Sequence, residues 1–150
     1  MISRFERFSL SIFEISRCWH KIAADEMARY GLKGPHTIYL IAMNRNPEGL
    51  TSSQLTETCN RDKADVSRAM SAMEESGLVE KDLPGNRYRA RLKLTEEGRE
   101  AALHICKRAA IAVEAAGKGM DDSQRKVFYE TLELIASNLR ELSEEGLPKE

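Results

Sequence analysis

The sequence predicts a mainly α-helical chain that carries one small β-hairpin, and three observations predict it. Apolar residues recur at spacings of three and four through the first and last parts of the 150 residues. Two short segments between residues 51 and 77 carry helix-capping signals, and the stretch from 87 to 94 alternates basic with apolar residues just after a turn. Spacings of three and four line up one face of a helix, whereas strict alternation lines up one face of a strand.

In the first helix, Phe5, Phe8, Ile12, Ile15, Trp19 and Ile22 form the seam of a helix packed along another helix. A second helix carries His36 and Tyr39. The next helix starts within Leu50-Thr51-Ser52-Ser53-Gln54-Leu55. There Thr51 is placed to cap, Gln54 to reach back to the cap amide, and Leu50 to pack on Leu55 as a hydrophobic staple. The helix after it opens near Asp62, a capping residue, and stops at Gly77. Val66, Ala69, Met70 and Met73 make its apolar face, while Lys63, Ser67, Arg68 and Ser71 fall mostly on the other side. Such a helix is either a solvated amphipath or a major-groove reader, since Arg and Lys bond guanine edges or phosphates and Ser is a permissive donor.

The following segment favours the second reading. Leu78-Val79 opens a short strand that runs into Asp82-Leu83-Pro84-Gly85-Asn86, rich in turn formers. On the return strand Arg87, Arg89, Arg91 and Lys93 share one face, and Tyr88, Ala90, Leu92 and Leu94 the other. Residues 84–93 hold four positive charges and no negative one. A basic stripe also guards an exposed strand edge against aggregation, but beside two short capped helices it reads as a ribbon for a minor groove. Helix, helix and basic hairpin in that order are the layout of a winged helix-turn-helix.

Beyond Thr95 a helix carries Ala102, Ile105, Ala109, Ala112 and Ala116, small enough for close helix approach. The last helix, capped by Asp121 or Asp122, repeats Phe128, Leu132, Ile135, Leu139 and Leu142. Long outer helices around a small lobe have little core of their own to cover. The expectation is therefore a homodimer, with Phe5, Phe8, Ile12, Phe128, Leu132, Ile135, Leu139 and Leu142 at its interface. The chain divides into an N-terminal dimerisation helix (1–33), a winged helix-turn-helix lobe (34–95) and C-terminal dimerisation helices (96–150), all within one compact chain.

The string from Gly49-Leu50-Thr51 through Gly77-Leu78-Val79-Glu80-Lys81 to Leu92-Lys93-Leu94-Thr95-Glu96-Glu97-Gly98 resembles the MarR family of bacterial transcription regulators. The resemblance covers roughly residues 34–98. It implies that Lys63, Ala64, Asp65, Ser67 and Arg68 occupy DNA-facing positions of the recognition helix, joined by Ser71 on the same side and by Arg87, Arg89 and Arg91 on the wing. Near the wing tip the family's Asp-x-Arg is replaced here by Asn86 and Tyr88, which leaves Arg87 or Arg89 as the wing finger; the arginine that usually follows Gly-Leu-Val-Glu is Lys81. The resemblance further implies a repressor that grips an inverted repeat in double-stranded DNA as a twofold dimer and is released by a small aromatic or phenolic compound. Trp19, His20, His36 and Tyr39 are the groups expected to line the effector cleft. Two alternatives stand beside it: an oxidant sensor acting through Cys18, and a winged-helix interaction scaffold that has lost DNA binding.

Composition fits a binding protein better than a catalyst. The formal net charge of −1 hides an uneven distribution: residues 121–150 hold eight acidic and four basic residues, opposite in sign to the basic wing. His20, His36 and His104 stand apart, with no metal-ligand spacing, no phosphate loop and no nucleophile motif, so neither enzyme activity nor a metal or cofactor is expected. Cys18, Cys59 and Cys106 are an odd number at long spacings, as in a reducing compartment. Charges at Arg4, Glu6, Arg7, Glu14 and Arg17 interrupt the N-terminal apolar residues, and no run is long enough to cross a bilayer, so no membrane partner and a cytoplasmic location are expected.

Overall fold

Helix caps set most of the element boundaries. The computed structural model describes residues 2–82 and 90–149. Ser3 caps α1 (Arg4–Met27) through a capping box with Glu6, a signal that the apolar spacing alone does not reveal. Two single 3-10 turns, Ala28–Tyr30 and Gly34–His36, lead into α2 (Thr37–Asn44). The expected box of Thr51 with Gln54 opens α3 (Ser52–Cys59), and Asp62 caps α4 (Lys63–Glu75) by accepting the Asp65 amide at 2.7 Å. Gly77, at φ +73°, takes the left-handed conformation that ends α4, with the Leu78 amide donating to the Met73 carbonyl at 2.9 Å.

Strands β1 (Val79–Asp82) and β2 (Arg91–Leu94) pair antiparallel, with Val79 opposite Leu94 and Asp82 opposite Arg91. Alternation along β2 holds: Leu92 and Leu94 are buried while Arg91 is exposed. One expectation changes here. Leu92 exchanges both backbone bonds with Leu50, at 2.8 and 3.0 Å, so β2 lies between β1 and a one-residue bridge and is not an open edge at that point. Edge protection therefore does not account for the basic residues that flank Leu92.

The chain forms two units, residues 1–110 and 111–150. In the first, the core runs from Met27 and Leu32 through Tyr39, Leu40 and Met43 of α2, Leu55 of α3 and Val66, Ala69, Met70 and Met73 of α4 to Leu92 and Leu94. Helix α5 (Glu96–Ala116) adds Ala101, Ala102 and Ile105 to that same core. Its first half thus completes the lobe, because the Ala and Ile spacing read as an outer seam faces Tyr39 and Leu40's cluster instead. By contrast α1 buries only Met27.

In the second unit Asp121 caps α6 (Asp122–Glu145) through a box with Gln124, which settles the choice between the two aspartates. Arg125 folds back over the preceding turn, pairing with Glu114 at 3.2 Å and donating to the Gly117 carbonyl at 3.2 Å. No residue of α6 is buried.

Candidate nucleic-acid interface and ligand cleft

Helix α4 is short, firmly capped and two-faced. With Val66, Ala69, Met70 and Met73 sunk into the core, helical geometry leaves Lys63, Ala64, Ser67, Arg68 and Ser71 exposed together. A shallow groove beside this face is lined by Ser52 at the start of α3, Lys63, Ser67, Met70, Ser71 and Glu74 of α4, and Lys81 and Leu92 of the hairpin. Lys81 is tied to Glu74 at 3.5 Å, and Lys93 to Asp82 at 2.8 Å. Arg91 is exposed on β2 and reaches the Gly49 carbonyl at 3.5 Å. Arg87 and Arg89 lie outside the described residues.

Asp65 departs from the expected outward row. It is half-buried, and its Oδ2 accepts a hydrogen bond from the hydroxyl of Tyr39 at 2.5 Å. Its other oxygen lies 3.9 Å from Nη2 of Arg68, whose side chain is 71% exposed. The physical reason is the buried phenol: a hydroxyl taken into a core needs a partner, and Asp65 is the one within reach. Burial first, and then this bond to a carboxylate, hold the Tyr39 hydroxyl well above its ordinary pKa. Tyr39 is therefore a core residue and not the cleft group that its sequence position suggested.

The other expected cleft residues also separate. His20 is exposed and bonds Ser16 at 3.2 Å, and the Nδ1 of His36 accepts the Lys33 amide at 3.2 Å within its own 3-10 turn. Burial pushes the His36 imidazole down. Only Trp19 of the four borders the apolar cleft formed by α1, α2 and α5. Ile22, Ala23 and Glu26 of α1, Thr37 and Ile41 of α2, and Ile105, Arg108 and Ala109 of α5 complete it. Its polar end is an ion-pair cluster that sequence reasoning missed, because the partners are about eighty positions apart. Glu26 accepts from Nε of Arg108 at 2.8 Å, and it lies 3.3 Å from Nε2 of His104 and 3.5 Å from Nε of Arg29. The Arg108 bond, helped by His104 and opposed by partial burial, holds the Glu26 carboxyl below its ordinary value.

Of the cysteines, Cys18 is exposed, Cys106 half-buried and Cys59 buried, with its thiol pushed up by burial. Among the described residues no cluster of His, Cys, Asp and Glu is arranged to hold a metal ion, and no helix is long and apolar enough to cross a membrane.

The expected interface residues of the outer helices are all solvent-accessible. On α1 these are Phe5, Phe8 and Ile12, and on α6 Phe128, Leu132 and Leu139, with Ile135 and Leu142 half-exposed.

Comparison with known proteins agrees with the motif resemblance. The model of the MarR family matches residues 30–87, which hold both short helices and the first strand. A chain described as a MarR family transcriptional regulator from Listeria monocytogenes, complexed with a 26mer DNA, is 22% identical with a TM-score of 0.77, over 93% of this chain and 95% of that one. A MarR transcriptional regulator from Methanosarcina mazei is likewise 22% identical, with a TM-score of 0.78 over 91% and 99%. A regulator of the same family from Silicibacter pomeroyi, at 20% identity, gives 0.73 over 91% and 92%. At such identities the likeness establishes the fold: a winged helix-turn-helix carried between long helices. No curated protein matches the chain by sequence.

Proposed function

Given a central lobe that bears the MarR family's winged helix-turn-helix, we propose that this protein is a transcription regulator that reads double-stranded DNA with α4. The observation that carries the reading is the exposed face of α4, where Lys63, Ala64, Ser67, Arg68 and Ser71 stand over a fully apolar inner face. Arg68 is the longest donor on that face, 71% exposed, and the small Ala and Ser around it let the helix approach base edges closely. Arg91 on β2 supplies positive charge for the phosphate backbone or the minor groove, and the sequence adds Arg87 and Arg89 to the same basic run.

Assembly on DNA follows from the outer helices. Helix α1 spans 24 residues and buries one of them, while α6 buries none, so both offer apolar faces to a second copy. A twofold dimer reads two half-sites about one helical turn apart, roughly 10 base pairs, which makes the operator an inverted repeat. Repression by occupancy of a promoter is the simplest consequence. The cleft next to α2 supports release by a small aromatic acid or phenol, with Trp19 offering a ring face and Arg108 a charge. Arg108 is held to Glu26 by Nε, and among the described residues its terminal nitrogens have no hydrogen-bond partner.

Selection of binding sites from a random duplex pool tests the central claim. The wild-type chain is expected to enrich an inverted repeat, and Arg68→Ala to weaken binding to it by about 1–3 kcal/mol while changing random-sequence binding less. Equal loss on both would reduce Arg68 to a phosphate contact. Enrichment of no sequence at all would leave the interaction-scaffold reading in its place.

A further inference from the structure

We propose that Tyr39 is a positioning residue for DNA reading: its hydroxyl occupies the Asp65 carboxylate and thereby keeps Arg68 free to meet the duplex. The inference rests on reading α4 as the DNA-facing helix. Asp65 and Arg68 are three residues apart on α4, a spacing at which opposite charges pair readily. A closed carboxylate–guanidinium hydrogen bond is about 2.8 Å long. Here the nearest approach is 3.9 Å: Oδ2 accepts the Tyr39 hydroxyl at 2.5 Å, which anchors the carboxylate to α2 and leaves Oδ1 alone facing Nη2 of Arg68.

The arrangement answers an electrostatic problem. A carboxylate on the reading face repels phosphates and competes with them for the neighbouring guanidinium. Tyr39 is 1% exposed and fixed in the core, so its hydroxyl is a donor with little freedom to leave. The phenol stays protonated throughout the neutral range, which keeps the bond donated to Asp65 whenever DNA is bound. Arg68 is thus left 71% exposed, with its acidic neighbour anchored to Tyr39 and held at 3.9 Å.

The test uses the full chain and the duplex that the wild type selects from a random pool, with a scrambled duplex as control. Tyr39→Phe removes one oxygen and keeps the packed ring. It is expected to lower affinity for the selected duplex about tenfold, with a smaller change on the scrambled one, because the lost contact is a base-reading one. The double variant Tyr39→Phe with Asp65→Asn is expected to recover most of that loss, since an amide carries no charge with which to draw Arg68 away. A purely structural role for the Tyr39 bond predicts the reverse order, with the double variant no better than the single. Asp65→Asn alone, which keeps an acceptor for Tyr39, is expected to bind the selected duplex at least as tightly as the wild type. Three outcomes overturn the proposal: Tyr39→Phe binding like wild type, no recovery in the double variant, or an Asp65→Asn loss as large as that of Arg68→Ala. A wild-type chain that enriches no sequence overturns the DNA-reading function together with this proposal, whereas a selected duplex bound equally by wild type and Tyr39→Phe overturns this proposal alone.

Discussion

Gly98 shows how one residue in a sequence motif is dictated by a distance. A Cβ at this position would stand 2.0 Å from the carbonyl oxygen of Leu78 and 3.2 Å from Cβ of Leu94, so only glycine lets α5 start against the hairpin. Thr95 closes the same junction, its hydroxyl donating to the Gly77 carbonyl at 2.7 Å and accepting the Gly98 amide at 3.0 Å. Together they give a physical reason for the Leu94-Thr95-Glu96-Glu97-Gly98 run that carried part of the family resemblance. Two effects compete in Gly98→Ala. Alanine favours a helix over glycine by about 1 kcal/mol, but overpacking costs about 1–3 kcal/mol even where flexible side chains yield. Here the obstacle is a backbone oxygen, which puts the clash at the upper end of that range, so it outweighs the helix gain and urea unfolding should show a net loss of about 2 kcal/mol. A stabilised variant would mean that α5 shifts away at little cost and that the junction is not tight. Residue roles decided by such approaches were the least legible in the sequence. Tyr39 has the look of a ligand-binding aromatic, and only the fold brings it to Asp65, twenty-six positions away.

At the scale of elements, most of the chain could be read in advance because its signals are local. Thr51 with Gln54, Asp62 and Gly77 mark helix ends through bonds that span three to five residues, and the apolar face of α4 follows from its own spacing. What failed were readings that need distant partners. Leu50 joins β2 as a single bridge that no local pattern announces, and α5 spends the first half of its seam on the lobe core. The cleft belongs to this second kind, since it is assembled from α1, α2 and α5, and only Trp19 of the expected lining borders it. It carries a prediction of its own. Trp19 is the single tryptophan of the chain, so its fluorescence reports the cleft without a label. Benzoate is expected to quench it saturably, with the ring against Trp19 and the carboxylate at the terminal nitrogens of Arg108. Arg108→Ala should weaken that binding about tenfold, the loss of one charge-assisted contact of about 1.5 kcal/mol. Unchanged fluorescence up to millimolar benzoate would argue against an aromatic-acid site, and equal affinity in Arg108→Ala would take Arg108 out of it. Because α2 lends Thr37 and Ile41 to the cleft and Tyr39 to the bond with Asp65 of α4, a ligand bound there would touch the same short helix that contacts α4.

For the whole molecule, the decisive feature is apolar surface left without cover. Phe5 and Phe13 on α1 are 76% and 71% exposed, and Val127, Phe128, Leu132 and Leu139 on α6 are exposed as well. Burial of apolar surface is worth about 25 cal/mol per Å², so two helices of this length gain far more from a partner than from water. Scattered exposed leucines are ordinary in monomers, but contiguous apolar faces along two long helices are not. Sedimentation equilibrium should therefore find twice the mass of one chain at micromolar concentration. Replacing both Leu132 and Ile135 by Asp puts charges into the α6 face, where burial is strongly unfavourable without partners. The core of residues 1–110 contains neither position, so the variant should keep that unit folded while it dissociates. Operator affinity should then collapse toward that of a single half-site, since each lobe alone contacts only a few base pairs. A wild-type chain that sediments at the mass of one copy would refute the dimer, and a dimeric double-Asp variant would move the interface away from α6.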